Sequence, residues 1–224
     1  MKKSGQISDA KQYFEQALSL NQRDPQTRYE LGRLSLKAGE KAQAIDHLKL
    51  ASEARPQNPQ MQYWYARALE ANNSKKNQAM IRTAYENAAA LIQEEGKLDP
   101  SLCDAHYRVG MVHRKDIKDL SLALNDFKRA SDCAPKRPEV WYELARVHND
   151  LGDHDHAKSY YQKALKNNRR YSPALVGLAI EQLRAIPPKT KTAIKTLKRA
   201  IKYNASETDA YFHLCKIYQS RSKR

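Results

Sequence analysis

PEVWYELARVHNDLGDHDHAKSYYQKALKNNRRY, residues 138–171, carries apolar side chains at helical spacing on both sides of one polar turn at Gly152. Ala145 stands before the turn, and Tyr161 and Ala164 stand three residues apart after it. Small residues next to bulky ones let two helices approach to about 8–10 Å, with the bulky side chains filling the grooves. The stretch therefore predicts two helices packed against each other.

The same two-helix pattern recurs along the chain in two interleaved series of small residues. Prolines at 25, 59, 138 and 173 fall where helices are expected to begin. Successive alanines of the second series are 34, 37, 42, 34 and 36 residues apart. The first series consists of Gly32, Ala66, Gly110, Ala145, Ala179 and Cys215, and the second of Ala17, Ala51, Ala88, Ala130, Ala164 and Ala200.

On these residues the chain resembles the tetratricopeptide repeat family, whose unit of about 34 residues is a helix–turn–helix. The resemblance implies an all-α, right-handed superhelical solenoid of stacked helix pairs that serves as a protein-interaction scaffold. We expect one solenoid over residues 1–224. Its parts would be a partial repeat at 1–24 with the second helix only, repeats at 25–58, 59–102 (with an insertion), 103–137, 138–171 and 172–207, and a capping helix at 208–224.

Several segments depart from the repeat pattern. Gly5 occupies the place of an inter-helix turn, so residues 1–4 would end a missing first helix, and we expect the chain to be cut from a longer protein. NNSKKN at 72–77 and LIQEEG at 91–96 lengthen one repeat. The next repeat, 103–137, contains one extra residue near KDIKDL at 115–120. Insertions of this kind usually lie in surface loops.

The composition limits compartment and partners. The 224 residues carry a net charge of +15, which favours acidic partners such as peptides, nucleic acid or anionic membrane surfaces. Three cysteines without a CxxC pair favour free thiols in a reducing compartment. No signal peptide or membrane-length apolar run is visible, so we expect a cytoplasmic protein.

The sequence offers no catalytic constellation and no cofactor motif. Phosphate loops, GxGxxG, HExxH and GxSxG patterns are all missing from it, so we predict neither an enzyme nor a cofactor. The best metal candidate is DHDH at 153–156, but a stable site needs three or four convergent ligands. We interpret this stretch as a helix start with Asp153 or Asp155 near the cap, and predict no metal site. His113 and His148 share a repeat position, where we expect hydrogen-bonded core histidines.

The first helices of such repeats line a concave face, and the positions that face it are rich in tyrosine and arginine. A tyrosine followed four residues later by an arginine occurs in three repeats, one helical turn apart. These pairs could be simple cation–π contacts within a helix, worth about 0.5–1 kcal/mol. The alternative, which we favour, is a groove whose guanidinium groups hold an acidic peptide or a C-terminal carboxylate. The predicted peptide-binding residues are Tyr29, Arg33, Tyr63, Arg67, Tyr107, Arg108, Met111, Arg114, Tyr142, Arg146, Asn149, Val176 and Ile180.

A second hypothesis concerns the basic C-terminal part of the chain. KTKTAIKTLKRAIK at 189–202 places four lysines on one stripe of a helix, Lys191, Lys195, Lys198 and Lys202. Lysines without interleaved aromatic residues favour contacts to a charged backbone over base recognition. This stripe is either a solvated outer face or a surface for RNA or another polyanion. Self-association through exposed terminal repeats is a third possibility.

Overall fold

The computed structural model describes residues 2–72, 77–94 and 103–222, and these form twelve α-helices, one π-helical turn and no strand. The predicted all-α helical-repeat fold is therefore confirmed. The helices are α1 (Lys2–Leu20), α2 (Pro25–Ala38), α3 (Lys41–Ala54), α4 (Pro59–Asn72), α5 (Gln78–Glu94), α6 (Cys103–Val112), α7 (Leu120–Cys133), α8 (Pro138–Asp150), α9 (His154–Asn167), α10 (Ser172–Arg184), α11 (Thr190–Tyr203) and α12 (Thr208–Ser222).

The chain divides into two compact units, Met1–Val112 and His113–Arg224. In the first unit each of the helices α1 to α6 packs on the next one along the chain, and the same holds for α7 to α12 in the second. Packing between sequence neighbours is the hallmark of repeat arrays, in which each unit contacts only those beside it. The grouping of the helices into a partial repeat, five full repeats and a capping helix stays a prediction.

The small residues of the two series lie at close helix contacts, as the packing argument requires. A β-carbon built at Gly32 on α2 would lie 2.4 Å from Cγ of Leu48 on α3, a separation too short for two carbon atoms. Ala145 and Ala164 are fully buried. Two members of the series depart from this pattern, since Ala17 on α1 is only partly buried and Cys215 on α12 is exposed.

Local sequence explains where the helices start and stop. Asp24, Asp119 and Asp153 each cap a helix by accepting a hydrogen bond from a backbone N–H three residues on. Gly39 and Gly152 adopt left-handed backbone angles, with φ of 83° and 79°, which glycine tolerates without strain. The glycine turn of 138–171 thus reverses the chain between α8 and α9.

The departures from the repeat pattern have different outcomes. Gly5 lies inside α1, so the predicted turn there is wrong. The extra residue of 103–137 is absorbed by a π-helical turn over His113–Ile117, a known way of fitting one added residue into a helix. Most of 72–77 and the end of 91–96 lie outside the described residues, although α5 extends to Glu94.

The expectation of free cysteines is wrong for two of the three. Cys103 and Cys133 are disulfide-bonded, whereas Cys215 is free. An even number of cysteines marks disulfide-rich sequences, and with three cysteines this chain offers no such pattern from which the bonding could be predicted.

Candidate peptide-binding sites

The three predicted tyrosine–arginine pairs form as cation–π contacts within single helices. The spacing of four residues places each guanidinium group over the ring one turn earlier. The distances from guanidinium carbon to ring centroid are 5.2 Å for Arg33 over Tyr29, 5.9 Å for Arg67 over Tyr63 and 5.5 Å for Arg146 over Tyr142.

Each of these arginines also faces a glutamate of its own helix. Arg33 Nη1 lies 3.2 Å from Glu30, and Arg146 Nη1 lies 3.5 Å from Glu143. The signal for this was present in the sequence, because a glutamate follows the tyrosine in both RYELGR and WYELAR. Carboxylates of the protein itself therefore already pair with these arginines, before any acidic ligand is considered.

In the first unit, two arginines and two carboxylates form a closed polar network. Arg108 Nε donates to Asp104 at 3.0 Å, and its Nη1 donates to Glu70 at 2.9 Å. Arg67 Nη1 donates to the hydroxyl oxygen of Tyr63 at 2.9 Å, and that hydroxyl donates to Asp104 at 2.8 Å. Positive and negative side chains thus balance each other within this network.

The environment of the network raises the pKa of Tyr63 and of Arg108. Burial, together with the nearby Asp104 carboxylate, raises the pKa of Tyr63 to about 12. Burial alone would lower the pKa of Arg108, but the carboxylates of Asp104 and Glu70 raise it overall. The tyrosine stays neutral and the arginine stays charged at any physiological pH.

The remaining predicted residues of this face differ in exposure. Tyr29 and Tyr63 are 7% and 4% exposed, so their rings belong mainly to the core of the first unit. Tyr107 and Met111 on α6 are partly exposed. The sequence pattern did not distinguish rings that pack inward from rings that face solvent, because both kinds occupy the same repeat position on different helices.

In the second unit, Arg114 is buried rather than presented to a ligand. Its side chain is 8% exposed, and its Nε lies 3.1 Å from Glu143. Its Nη1 lies 3.5 Å from Asp150. Arg114 therefore contributes charge to the surroundings of Glu143 and little surface for direct contact.

A cavity of about 210 Å³ in the second unit brings five of the predicted residues together. It lies against α8 and α10, and Tyr161 of α9 forms part of its wall. Small-molecule sites usually measure about 300–1,000 Å³, so this cavity matches a peptide side chain better than a cofactor. The predicted residues that line it are Tyr142, Arg146, Asn149, Val176 and Ile180.

The charges around this cavity are mixed. The Arg146 side chain is 37% exposed, and it shares Glu143 with Arg114. Glu207 and Asp209 line the cavity as well, and the sequence analysis did not single them out. Glu207 precedes α12, and Asp209 lies in its first turn. Carboxylates are common at helix starts, so the sequence alone does not mark either residue as part of a site.

The histidines and the DHDH stretch take the predicted structural roles. His113 Nδ1 lies 2.6 Å from Asp126 Oδ2 on α7, and His148 Nδ1 lies 3.0 Å from Asp153 Oδ2, so both are hydrogen-bonded and buried as expected. Asp153 caps α9. His148 was not expected to join the DHDH stretch, since it belongs to the preceding helix.

The predicted basic stripe lies on the solvent side of α11. Lys191, Lys195, Lys198 and Lys202 are all exposed, while Leu197 of the opposite side is fully buried. Within the described part of the chain, none of the four lysines forms a salt bridge. The stripe therefore presents four exposed positive charges on one side of α11.

Comparison with known proteins supports the family resemblance. Family models of the tetratricopeptide repeat match residues 2–69 and 138–171. The chain also resembles the solved structure of YrrB, described as a TPR protein with an unusual peptide-binding site, with a TM-score of 0.71 and 19% identity over 91% of this chain and 97% of that one. PilF of Pseudomonas aeruginosa is similar with a TM-score of 0.76 and 15% identity, over 96% and 91% of the two chains.

A curated relative is the BBSome complex member bbs-4 of Caenorhabditis elegans, 25% identical over 150 residues. The match covers 66% of this chain and 31% of that protein, so the chain spans about a third of the length of this relative. The repeat matches support a protein–protein interaction scaffold, and the solved structures support the helical-repeat fold. No helix of the described residues has the length and apolar character needed to cross a bilayer.

Proposed function

We propose that the chain is a peptide-binding scaffold and that the cavity lined by Tyr142, Arg146 and Val176 holds a segment of a partner protein. The observation that carries this proposal is the convergence of these residues on one concave site of side-chain size. An aromatic ring, a guanidinium fork and an apolar wall together provide contact area, orientation and charge recognition.

The acidic group of the ligand, a side chain or a C-terminal carboxylate, pairs with Arg146. This guanidinium is available because Glu143 is shared with Arg114, and the Arg146–Glu143 contact is the longer one, 3.5 Å against 3.1 Å. Asn149 lies one turn further along α8 and adds an amide to the same wall. A charge-assisted hydrogen bond of this kind contributes roughly 1.5–3 kcal/mol when it is shielded from water.

A purely acidic ligand would meet repulsion from Glu207 and Asp209 in the same cavity. Glu207 accepts a hydrogen bond from Ser172 Oγ at 2.6 Å, which holds its carboxylate in place at the cavity wall. A peptide with a basic residue next to its acidic group satisfies both parts of the lining. The proposal is therefore an acidic peptide segment with one neighbouring basic residue.

Binding to an array of short peptides tests this proposal. The array combines Asp or Glu with a neighbouring Lys or Arg, and includes amide replacements and both free and amidated C-termini. We expect Arg146→Glu to weaken the best peptide by more than about tenfold, since it reverses the recognising charge. The matched control is Arg169→Glu, an exposed arginine that does not line the cavity. Equal binding by both variants would refute the proposed site.

A second candidate function is polyanion binding by the stripe of Lys191, Lys195, Lys198 and Lys202. The observation that favours it is the exposure of all four lysines without salt bridges in the described residues. We expect a random RNA pool to bind at about 50 mM salt and to dissociate steeply as salt rises. Replacing the four lysines by glutamine should abolish binding. The same replacement at Lys37, Lys41, Lys158 and Lys166, which are also exposed, should not.

A further inference from the structure

The junction of α8 and α9 brings three potential metal ligands to one point. Nδ1 of His148 lies 3.0 Å from Oδ2 of Asp153, and Nδ1 of His156 lies 2.8 Å from the same oxygen. No two of the three ligand atoms are more than 4.8 Å apart. We propose that His148, Asp153 and His156 form a binding site for a divalent transition-metal ion, with Zn²⁺ as the favoured ion.

The fold itself builds this arrangement. Gly152 in its left-handed conformation turns the end of α8 onto the start of α9, and the N–H of Asp153 donates to the carbonyl of His148 at 2.8 Å. Asp153 Oδ1 accepts from the N–H of His156 at 3.2 Å as the helix cap. This leaves Oδ2 directed at the two imidazole rings. A hydrogen-bonded turn thus holds the ligands before any ion binds, which lowers the entropic cost of binding.

The distances match what a metal needs. Zn–N and Zn–O bonds of about 2.0–2.2 Å place tetrahedral ligands roughly 3.3–3.6 Å apart. The two imidazole–carboxylate distances open by only a few tenths of an ångström to reach this spacing. Two imidazole nitrogens and a carboxylate oxygen are a ligand set that suits Zn²⁺, with water completing the coordination.

Access and support for the site are also present. The His156 side chain is 65% exposed, which gives an ion a path from solvent, while His148 is 9% exposed and anchors the inner side. The two imidazole rings stack with centroids 5.1 Å apart, and the Tyr160 ring packs on His148 at 5.2 Å. His154 is not part of the set, because its Nδ1 lies 3.3 Å from Glu181.

Calorimetric titration of the full, untagged chain with Zn²⁺ tests the site. A Cys215→Ser background removes the exposed thiol as a competing ligand. We expect one equivalent of Zn²⁺ to bind, and His156→Ala and Asp153→Asn to weaken binding by more than about tenfold. Asp153→Asn keeps a capping oxygen, so α9 stays folded. The matched control, His154→Ala, should bind like the parent protein.

Co²⁺ provides an independent readout, because its visible absorption bands report tetrahedral coordination. The bands should develop in the parent chain and in His154→Ala but not in His156→Ala. Circular dichroism spectra of all variants verify that the helices are intact. Two results would overturn the proposal: a parent chain without saturable Zn²⁺ binding at millimolar metal, or unchanged binding after His156→Ala.

Discussion

Arg67 and Arg146 stand at the same position of the repeat pattern, four residues after a tyrosine, yet their surroundings differ. Arg67 belongs to a closed network in which Tyr63, Asp104 and Arg108 are joined by hydrogen bonds of 2.8–3.0 Å. Arg146 has a single glutamate at 3.5 Å and faces a cavity. The same tyrosine–arginine spacing thus leads to a closed hydrogen-bond network around Arg67 and to a cavity wall at Arg146.

The difference teaches that a repeated residue acquires its role from the neighbouring helix. The Asp104 carboxylate on α6 forms an ion pair with Arg67 of α4 and accepts a hydrogen bond from the Tyr63 hydroxyl. In the second unit Glu207 and Asp209, near the start of α12, line the same cavity as Arg146, and Arg146 pairs with Glu143 of its own helix. The net charge around a repeated arginine therefore depends on the helices packed beside it and cannot be inferred from the motif alone.

The largest expected effect compares how strictly the helix contacts of the two units require a small residue. Gly32→Ala places a β-carbon 2.4 Å from Leu48 Cγ, so we expect a loss of about 1–3 kcal/mol in the free energy of unfolding. The equivalent residue of the second unit is Ala145, and Ala145→Gly should cost only about 0.5–1 kcal/mol through backbone entropy. Urea unfolding followed by circular dichroism measures both. A larger loss for Ala145→Gly would contradict the packing argument.

A smaller effect is the difference in stability lost when Arg108 of the first unit and Arg146 of the second are each replaced by alanine. Arg108→Ala removes charge-assisted hydrogen bonds to Asp104 and Glu70, and we expect it to cost about 1–2 kcal/mol of stability. Arg146→Ala should cost less than about 1 kcal/mol, as expected for a partly exposed ion pair. Peptide binding should show the reverse order, with loss only in Arg146→Ala. Thermal unfolding and fluorescence anisotropy on the same samples decide whether the contrast is real.

The smallest expected effect is the pH dependence of the first unit. Burial, with a further contribution from Arg28, lowers the pKa of His47 below its ordinary value of 6.5. The unfolded chain then takes up the proton more readily than the folded one. The stabilising contribution is therefore present above about pH 6.5 and is lost as the pH falls through 6.5 towards the folded-state pKa.

His47→Gln should flatten this part of the stability profile, measured by urea unfolding between about pH 7.5 and 5. The matched control is His154→Gln in the second unit, which replaces an exposed histidine. NMR titration of the His47 ring gives its folded-state pKa directly. A value above 6.5 would show that burial does not dominate its environment.

Much of the fold was predictable, because it depends on local spacing. Proline at helix starts, aspartate caps, glycine turns and the series of small residues each act within a few positions of the chain. The π-helical turn was not predicted. The added residue near 115–120 was recognised, but whether it enlarges a loop or is absorbed into a helix depends on which arrangement keeps the flanking helices packed.

The site was predictable only in part. The positions of Tyr142, Arg146, Asn149, Val176 and Ile180 on a common lining follow from helical periodicity, and the structure brings these five together. The burial of Arg114 and the contribution of Glu207 and Asp209 do not follow from it. Both depend on helices that are distant in sequence, for which spacing carries no signal.

By itself, the sequence determined the helix pairs, their turns and the alternation of small and bulky residues, since these obey short-range sterics and backbone hydrogen bonding. Helix packing sets which arginines are neutralised and which tyrosines are buried, and it brings His148 to Asp153 and His156. The physical reason is that electrostatic pairing and metal ligation depend on distances of about 2–4 Å between side chains of different helices. Those distances are set by helix packing.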